Sequence, residues 1–410
     1  MVGPKPIGAD DYRRHHYVPV WYQRRFLKGN TSFRALDLKP NEYRDSLGRI
    51  SIARSIHSRG PKKLFVESDL YTTFWPGGIN TEIERFFFGR VDARAPESLD
   101  FWQSYDLSGW SERALQDFLL TVSLQRLRTP RGLSRLARLL KEFDRNKLLI
   151  AVQEYQTIFC AHLTEAVWQI VRAPSQSGGF LLTDNPVTIY NEKLRPTVGG
   201  RLPEMWHNGS HAIFPLSHSH ALIWTNLSWV RNPYAPAEKL RPNPDPLRTA
   251  WFDFREVQIG RELSVDEMHS INYILKYSSD RYIAAIDEES LFPERQFRFQ
   301  GWKHLSKDWM LMPDPRGVTF GGELVIGWKD GKSSAFDEYG RRPWQSDFAE
   351  KKRNKREWET FHRFQGDFAK LYGPERRGRS MSFDRLDPEI DDEDYHQYHL
   401  KMARKFRRLR

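Results

Sequence analysis

The sequence contains one cysteine, Cys160, among 410 residues, so no disulfide can form within the chain. Cys160 stands between Phe159 and Ala161 in an apolar helical pattern, and we interpret it as a buried small hydrophobic residue rather than a nucleophile. A chain without internal disulfides is typical of reducing compartments, which predicts a cytoplasmic location.

Long apolar runs are also missing. No run approaches the roughly 18 residues needed to span a bilayer, and residues 1–14 lack the apolar centre of a secretory signal. We therefore expect a protein without a membrane segment. The sequence has no Walker loop, no G-x-S-x-G elbow, no zinc-type cysteine spacing and no dinucleotide fingerprint. The common cofactor classes receive no support.

Aromatic residues make up 14% of the chain, which is enough apolar area to predict that most of it folds. The formal charge of +11 is concentrated at the C-terminal end. Residues 351–379 hold ten basic and four acidic residues, and residues 401–410 hold six basic residues. Between them, residues 384–394 hold seven acidic and one basic residue. The sequence therefore predicts a basic tail, partly neutralised by its own acidic stretch, and not a basic core.

Hydrophobic spacing predicts a sequence of mixed helices and strands. Helices are expected at residues 21–27 and 81–91, from Ser111 with Glu112 onwards, where Leu115, Phe118, Leu119 and Val122 lie on one face, and at residues 146–171 and 263–278. Thr81 with Glu84 has the pattern of a capping box. Strands are expected at residues 32–38, 63–72, 180–182, 187–190, 212–214 and 221–225. The helices of the first half should pack together, and the second half should contain the main sheet.

This order predicts an α+β fold in which a mixed or antiparallel sheet packs on a helical layer. We expect a core at residues 14–300 and a β-rich extension at residues 301–345. Trp302, Trp309 and Trp328 lie in this extension, and Asp330-Gly331 marks a hairpin. Residues 346–410 should form a charged tail, partly helical or disordered, in which aromatic residues have helical spacing.

Several short motifs occur in a recognisable order. They are His15-His16-Tyr17-Val18-Pro19, Asp69-Leu70-Tyr71-Thr72, Gln125-Arg126-Leu127-Arg128-Thr129-Pro130, Thr183-Asp184-Asn185-Pro186, Pro215-Leu216-Ser217 and a late helix containing Asn272. Together they resemble a bacterial family known only as a domain of unknown function, DUF4238, whose members open with His-His-x-Val-Pro. The resemblance spans residues 14–285. It implies the α+β core and no established activity.

The paired histidines are the first candidates for chemistry. Neighbouring residues of an extended segment point to opposite faces, so His15 and His16 are not expected to bind one metal ion together. The dipeptide before Val-Pro is similar to the opening of ββα-metal nucleases, in which a histidine activates water beside a metal-bound phosphate. That fold needs a further Asn or His on a following helix, and Asn30 and His57 are the nearest. The alternative is a histidine hydrogen-bonded in the core.

The turn after the strand at residues 180–182 is the second candidate. Asp184 could present a carboxylate to a shared cleft as a metal ligand or general base, beside Asn185 as a substrate-binding residue. Asp69 could contribute a second carboxylate to the metal. The alternative is that Asp and Asn act here as ordinary turn formers, bonding nearby amides.

Gln125 and Arg128 lie on one face of the third predicted helix, where Gln125 should be buried. A buried Gln and Arg need partners, so we expect Asp69, Glu84 or Asp184 near them. Either a structural network or a phosphate-binding site would satisfy them, because arginine binds carboxylate and phosphate in the same bidentate way. We interpret Glu84 itself as the capping-box residue.

These candidates support two hypotheses. The first is a metal-dependent phosphodiester hydrolase, with His15 or His16, Asp69 and Asp184 around a divalent ion and Gln125, Arg128 and Asn185 on the substrate. The second is a non-catalytic module that binds nucleic acid or a protein through the basic tail. In it, Trp358, Phe361 and Phe364 would stack or pack between the basic residues.

Overall fold

The structure is a computed structural model, and its α+β fold combines several mixed or antiparallel sheets with many helices. It describes residues 13–76, 78–106, 111–164, 166–196, 202–234, 257–298, 301–318, 323–327, 329–337, 342–346, 348, 351–380 and 392–407. Trp328 and residues 384–391 of the acidic stretch lie outside the described residues. Within the described ranges, no helix is both long enough and apolar enough to cross a membrane.

The strands are short and distributed along the chain. They are β1 (Arg14–His16), β2 (Phe33–Asp37), β3 (Glu42–Arg44), β4 (Ile50–Ile52), β5 (Ile56–Arg59), β6 (Val66–Ser68), β7 (Thr73–Trp75), β8 (Gly78–Asn80), β9 (Ala166–Arg172), β10 (Leu182–Thr183), β11 (Thr188–Asn191), β12 (Ser210–Pro215), β13 (His220–Asn226), β14 (Gln258–Glu262), β15 (Tyr282–Ala285), β16 (Glu323–Gly327), β17 (Ser333–Asp337) and β18 (Arg379–Ser380).

The helices are concentrated in the first half and at the end. They are α1 (Val20–Arg24), a π-helix (Ile83–Phe88), α2 (Gly89–Ser104), α3 (Glu112–Leu127), α4 (Pro130–Leu140), α5 (Arg145–Thr164), α6 (Leu227–Arg231), α7 (Val265–Tyr277), α8 (Lys351–Tyr372) and α9 (Asp392–Arg407). Short 3₁₀ turns connect other segments, including Pro315–Gly317.

Two sheets organise the core. The larger has the strand order β11-β12-β13-β9-β14-β18, and its pairs are antiparallel except for β9 with β14. The smaller has the order β10-β15-β2-β5 and is antiparallel throughout. The predicted main sheet in the second half is therefore confirmed, although one of its central strands comes from the helical region.

The helices α2, α3 and α5 pack together against one face of the larger sheet. The predicted packing of α3 with α5 is confirmed, but the helix predicted at residues 81–91 is a π-helix followed by α2, which continues to Ser104. The contact is aromatic: the ring of Trp102 on α2 lies 5.1 Å from that of Phe118 on α3 and 4.7 Å from that of Trp168 on β9. Cys160 on α5 is half-buried and its thiol donates to the Leu119 carbonyl at 3.3 Å. Burial raises the pKa of that thiol to about 12, which fits the interpretation of a small packing residue.

Helix α8 covers the opposite face of this sheet, and α9 packs on α8. Phe361, Phe364 and Phe368 of α8 form a second buried cluster with Val167 of β9 and with Trp229. Strand β18 also pairs with β14 at the sheet edge. The predicted helical spacing of the tail aromatics is confirmed, but the expectation of disorder is wrong for residues 392–407, which form α9. The division into three domains stays a prediction.

The helix predicted for residues 146–171 is too long. In the structure α5 ends at Thr164 and residues 166–172 form β9. This strand is buried on both faces, so its apolar residues run almost continuously and carry no period-2 signal to separate them from the helix before them. The Asp330-Gly331 hairpin is confirmed by the pairing of β16 with β17.

The capping box at Thr81 and Glu84 is also wrong. The Asn80 side chain accepts from the amide of Glu82 at 2.7 Å, and the chain then enters the π-helix at Ile83. Glu84 therefore turns towards the interior instead of back to the helix start. The one capping box with both bonds among the described helices is Ser264 with Glu267, at the start of α7.

Replacing Gly366 with alanine should weaken the docking of α9 on α8. An added Cβ would lie 2.1 Å from the Cβ of Ala403, so the helices must separate. We expect a loss of about 2 kcal/mol in unfolding free energy, which is typical of overpacking, measured by thermal or urea denaturation. Gly327→Ala is the control, because its Cβ meets nothing within 4 Å. Equal effects of the two changes would contradict the close contact.

Candidate functional site

The two histidines of the first motif face opposite ways, as expected. His15 is 1% exposed; its Nδ1 accepts from the Tyr71 amide at 2.9 Å and its ring stacks on the Tyr71 ring. His16 is half-buried, with Nε2 3.3 Å from the Lys62 carbonyl oxygen, and burial is the main cause of its lowered pKa. The geometry of His15 is that of a core histidine whose Nδ1 is occupied by the backbone.

Asp69 is engaged by a cation. It lies in the left-handed region at φ 57°, directly after β6, and accepts from Arg13 Nε at 2.8 Å and Nη2 at 2.6 Å. The Thr72 hydroxyl adds a bond at 3.1 Å. The Arg13 hydrogen bond holds the pKa of this carboxyl at about 2. Asp69 thus stabilises the turn that carries Tyr71.

Arg128 sits at the centre of a buried network at the end of α3. Its guanidinium forms a bidentate pair with Asp92 of α2 at 2.9 and 3.0 Å, and donates to Gln125 Oε1 at 2.8 Å. Gln125 in turn donates to the Tyr17 carbonyl at 2.7 Å, and the Tyr71 hydroxyl donates to the Arg128 carbonyl at 2.8 Å. The prediction that Arg128 pairs with Asp69, Glu84 or Asp184 is wrong, because Asp92 fills that position. The structural alternative accounts for all of these bonds.

Glu84 is the least satisfied acid near this network. Its Oε2 is buried and has no hydrogen-bond partner among the described residues. Burial is the main cause that raises the pKa of this carboxyl to about 7; Arg128 lowers the pKa and Asp92 raises it. Pattern alone assigned Glu84 to a cap, because Thr-x-x-Glu before an apolar run does not show which way the side chain turns.

Asp184 is 3% exposed, at the turn that follows β10. Its carboxylate accepts from three consecutive amides, those of Asp280 at 2.8 Å, Arg281 at 2.5 Å and Tyr282 at 2.7 Å. Burial raises the pKa of Asp184 to about 6, against these three bonds, which lower it. The side chain therefore joins the turn to β15. This agrees with the alternative in which Asp184 bonds backbone amides, although the amides belong to a distant segment and not to the turn itself.

The structure therefore joins Gln125 with Arg128 but engages His16, Asp69 and Asp184 elsewhere. The part of the chain that the structure describes contains no group of three His, Cys, Asp or Glu side chains that could hold a metal ion. The residues assigned to a divalent ion do not fit it. Their lone pairs already accept bonds from Arg13 and from backbone amides.

A different cleft lies between the α3–α4 junction and the turn at Asn185. Its lining combines three arginines with aliphatic, proline and polar residues, and we call it the arginine cleft. It is lined by Arg126, Arg131, Gly132, Arg135, Asn185, Val187, Ile189, Pro196, Leu202, Pro203 and Ser278. Two of the sequence motifs meet here: Arg126 comes from the motif at residues 125–130, and Asn185 comes from the motif at residues 183–186.

Local sequence explains how the arginine wall forms. The Thr129 side chain caps α4 by accepting from the Gly132 amide at 3.0 Å, and Pro130 occupies the first turn. A Cβ on Gly132 would lie 2.1 Å from the Arg126 carbonyl oxygen, so only glycine allows α4 to start this close to α3. Arg131 and Arg135, four residues apart, then share a face of α4 beside Arg126.

Two of the three arginines have a carboxylate partner. Glu204 forms ion pairs with Arg126 and with Arg135, the latter at 3.2 Å. The Arg126 guanidinium also lies 4.5 Å from the centre of the Phe159 ring. Arg126 is 4% exposed, and its Nε is buried without a hydrogen-bond partner among the described residues.

Arg131 is the exception. Its Nη1 donates to the Ser279 carbonyl at 3.2 Å, and no carboxylate of the described residues lies within ion-pairing distance. Burial lowers the pKa of Arg131, while Asp184 and Asp280 raise it from a distance. A half-buried guanidinium with one hydrogen bond among the described residues keeps most of its donors for a ligand in the cleft.

The sequence did not predict this cleft. The helix α4 was missed, although Thr129-Pro130 is a typical N-cap and N1 pair. Of the residues selected there, Asn185 lines the cleft; its side chain donates to the Ser278 carbonyl at 3.1 Å. Arg131 and Arg135 lie beyond the motif and give no signal of their own.

Comparison with known proteins gives a family and no activity. A family model described as protein of unknown function (DUF4238) matches residues 14–289, which include every residue of the arginine cleft. No curated protein and no solved structure matches the chain.

Replacing Glu84 with glutamine should stabilise the protein in a pH-dependent way. The pKa of Glu84 is raised to about 7 in the folded protein. Protonation of this carboxyl therefore stabilises the folded state fully at pH values below its ordinary pKa, and this stabilisation is lost as pH rises through 7. We expect Glu84→Gln to raise the unfolding free energy by about 2 kcal/mol at pH 8 and by much less at pH 5. Urea denaturation at both values measures this. Glu82→Gln, at an exposed neighbour, is the control, and an equal gain at both pH values would refute the buried carboxyl.

Proposed function

The chain belongs to the DUF4238 family of proteins of unknown function, and we propose that it binds a phosphate-bearing ligand in the arginine cleft. Arg131 carries this proposal. Arginines that lose contact with water are normally paired with carboxylates, whereas Arg131 is half-buried in the lining of the cleft and pairs with none of the described carboxylates. Its planar donors match the oxygens of a phosphate, which form short charge-assisted hydrogen bonds with guanidinium.

The neighbours of Arg131 support the same chemistry. Arg126 keeps one unpartnered Nε, and Asn185 adds a polar group on the opposite side of the cleft. Glu204 holds Arg126 and Arg135 in place, so the cationic wall is preorganised before a ligand enters. Preorganised donors cost less free energy to use on binding than flexible surface lysines.

Metal-dependent phosphodiester hydrolysis by His15, His16, Asp69 and Asp184 is less well supported. It needs carboxylates with free lone pairs, and those of Asp69 and Asp184 are bonded to Arg13 and to amides. Binding of phosphate through Gln125 and Arg128 has the same difficulty, because Asp92 occupies the guanidinium. The arginine cleft needs no such rearrangement.

Replacing Arg131 with glutamine should lower the affinity for inorganic phosphate at least tenfold. The change removes the charge and the bidentate donors without enlarging the side chain. Isothermal titration with phosphate at low ionic strength measures the effect. Arg90→Gln is the charge-matched control on the exposed face of α2, and we expect less than a twofold change. Unchanged affinity in Arg131→Gln, or no phosphate binding by the original protein, would overturn the proposal.

A second candidate function is nucleic-acid binding at one end of the α8–α9 pair. The Trp358 ring lies 5.0 Å from that of Phe406, which brings the start of α8 beside the end of α9. Exposed basic residues from segments far apart in sequence therefore gather at this end: Lys355, Arg356, Lys401, Arg404 and Lys405. The buried Phe361 and Phe364 cannot stack on bases, so phosphate contacts would carry the binding.

Replacing Lys401, Arg404 and Lys405 with glutamine should weaken binding of double-stranded DNA and flatten its salt dependence. Each phosphate contact releases counterions when it forms. Loss of one contact should therefore reduce the slope of log affinity against log salt by about one. Fluorescence anisotropy at several salt concentrations measures both. The matched control replaces Lys28, Lys62 and Lys63, which are exposed elsewhere.

Point changes are preferable to removal of the tail. Deleting residues after 343 would uncover Val167 and Trp229, because α8 buries them. If the truncated chain lost DNA binding, the loss could then come from unfolding of the core or from removal of the basic residues, and the experiment would not separate the two causes. If the tail triple and the control triple weaken binding equally, the tail has no special role.

A further inference from the structure

The lining of the arginine cleft combines two kinds of side chain. Arg126, Arg131 and Arg135 are cationic, and five aliphatic or proline residues form what we call the apolar wall: Val187, Ile189, Pro196, Leu202 and Pro203. A site for a bare anion has no use for apolar lining, which cannot bond to its oxygens. We infer that the ligand is a monophosphate ester with an apolar or aromatic body, whose phosphate meets the arginines while its body lies on the apolar wall. This inference rests on the proposed phosphate site.

An apolar ring on the ester would displace water from the apolar wall, which is favourable in proportion to the apolar area covered.

The wall is also fixed in place. Val187 and Ile189 are 1% and 6% exposed and are held by the pairing of β11 with β12. Pro196 and Pro203 are buried, and proline has a fixed φ. Leu202 is half-buried, so its side chain is the part of the wall open to a ligand.

The test compares phosphate esters of different bodies on the full chain. We expect phenyl phosphate to bind at least tenfold more tightly than glycerol phosphate, which carries the same head on a polar body, and more tightly than inorganic phosphate. Adenosine monophosphate binding as tightly as phenyl phosphate would support the inference and identify a nucleotide as the source. Weaker binding of adenosine monophosphate, with phenyl phosphate still preferred, would support a smaller ester.

A variant of the apolar wall separates this inference from the phosphate site. Leu202→Ser should lower the affinity for phenyl phosphate about fivefold, since a change in one apolar contact typically costs about one to two orders of magnitude at most, and should lower the affinity for inorganic phosphate by a smaller factor. Leu139→Ser, at an exposed position of α4, is the control and should change neither. Equal affinities for phenyl and glycerol phosphate would overturn the inference while leaving the phosphate site intact. Absence of binding by inorganic phosphate and by both esters would instead overturn the proposed function.

Discussion

The arginine cleft depends on the hydrogen bonds between the Asp184 carboxylate and the amides of residues 280–282. These bonds hold the segment between α7 and β15 against the turn after β10. Asn185 can then reach the Ser278 carbonyl, and Arg131 can reach the Ser279 carbonyl. Because amides satisfy the carboxylate, Asp184 acts on Arg131 only at a distance, and the guanidinium keeps its donors. The bonds that occupy the Asp184 carboxylate therefore leave the Arg131 guanidinium with one carbonyl partner among the described residues.

Arg128 and Arg131 show how neighbouring arginines can differ in function. Arg128 is saturated by Asp92 and Gln125 and ties α3 to α2. Arg131, one turn along the chain, has a single carbonyl partner and an open cleft. A buried arginine whose donors are all hydrogen-bonded stabilises the fold. A ligand would have to break the buried ion pair, and the free energy lost in doing so would exceed the free energy gained on binding. Sequence reveals that both are arginines but not which donors are already occupied.

The sequence predicted the elements whose signal is local. The cap of α3 at Ser111 and the hairpin at Asp330-Gly331 follow from short-range rules of capping and turn formation. Strand β9 and the inward turn of Glu84 were missed because they depend on what the rest of the chain places beside them. For the site, Asn185 lines the arginine cleft, and its role as a substrate-binding residue stays a prediction. The partners of Asp69, Arg128 and Asp184 come from segments 36 to 98 positions away, beyond the reach of spacing arguments.

The tail illustrates the same limit in terms of charge. The basic composition of the tail predicted a solvent-exposed segment that binds polyanions. Its aromatic face determines where it lies, because Phe361, Phe364 and Phe368 cover the second face of the larger sheet. The acidic residues then meet basic ones within the tail: Asp392 pairs with Arg376 at 2.9 Å and with Arg379 at 3.1 Å. What remains for an external partner is the basic end where α8 and α9 meet. Net charge therefore overstates the surface available to a polyanion, since part of it is neutralised by the packing that makes the tail helical.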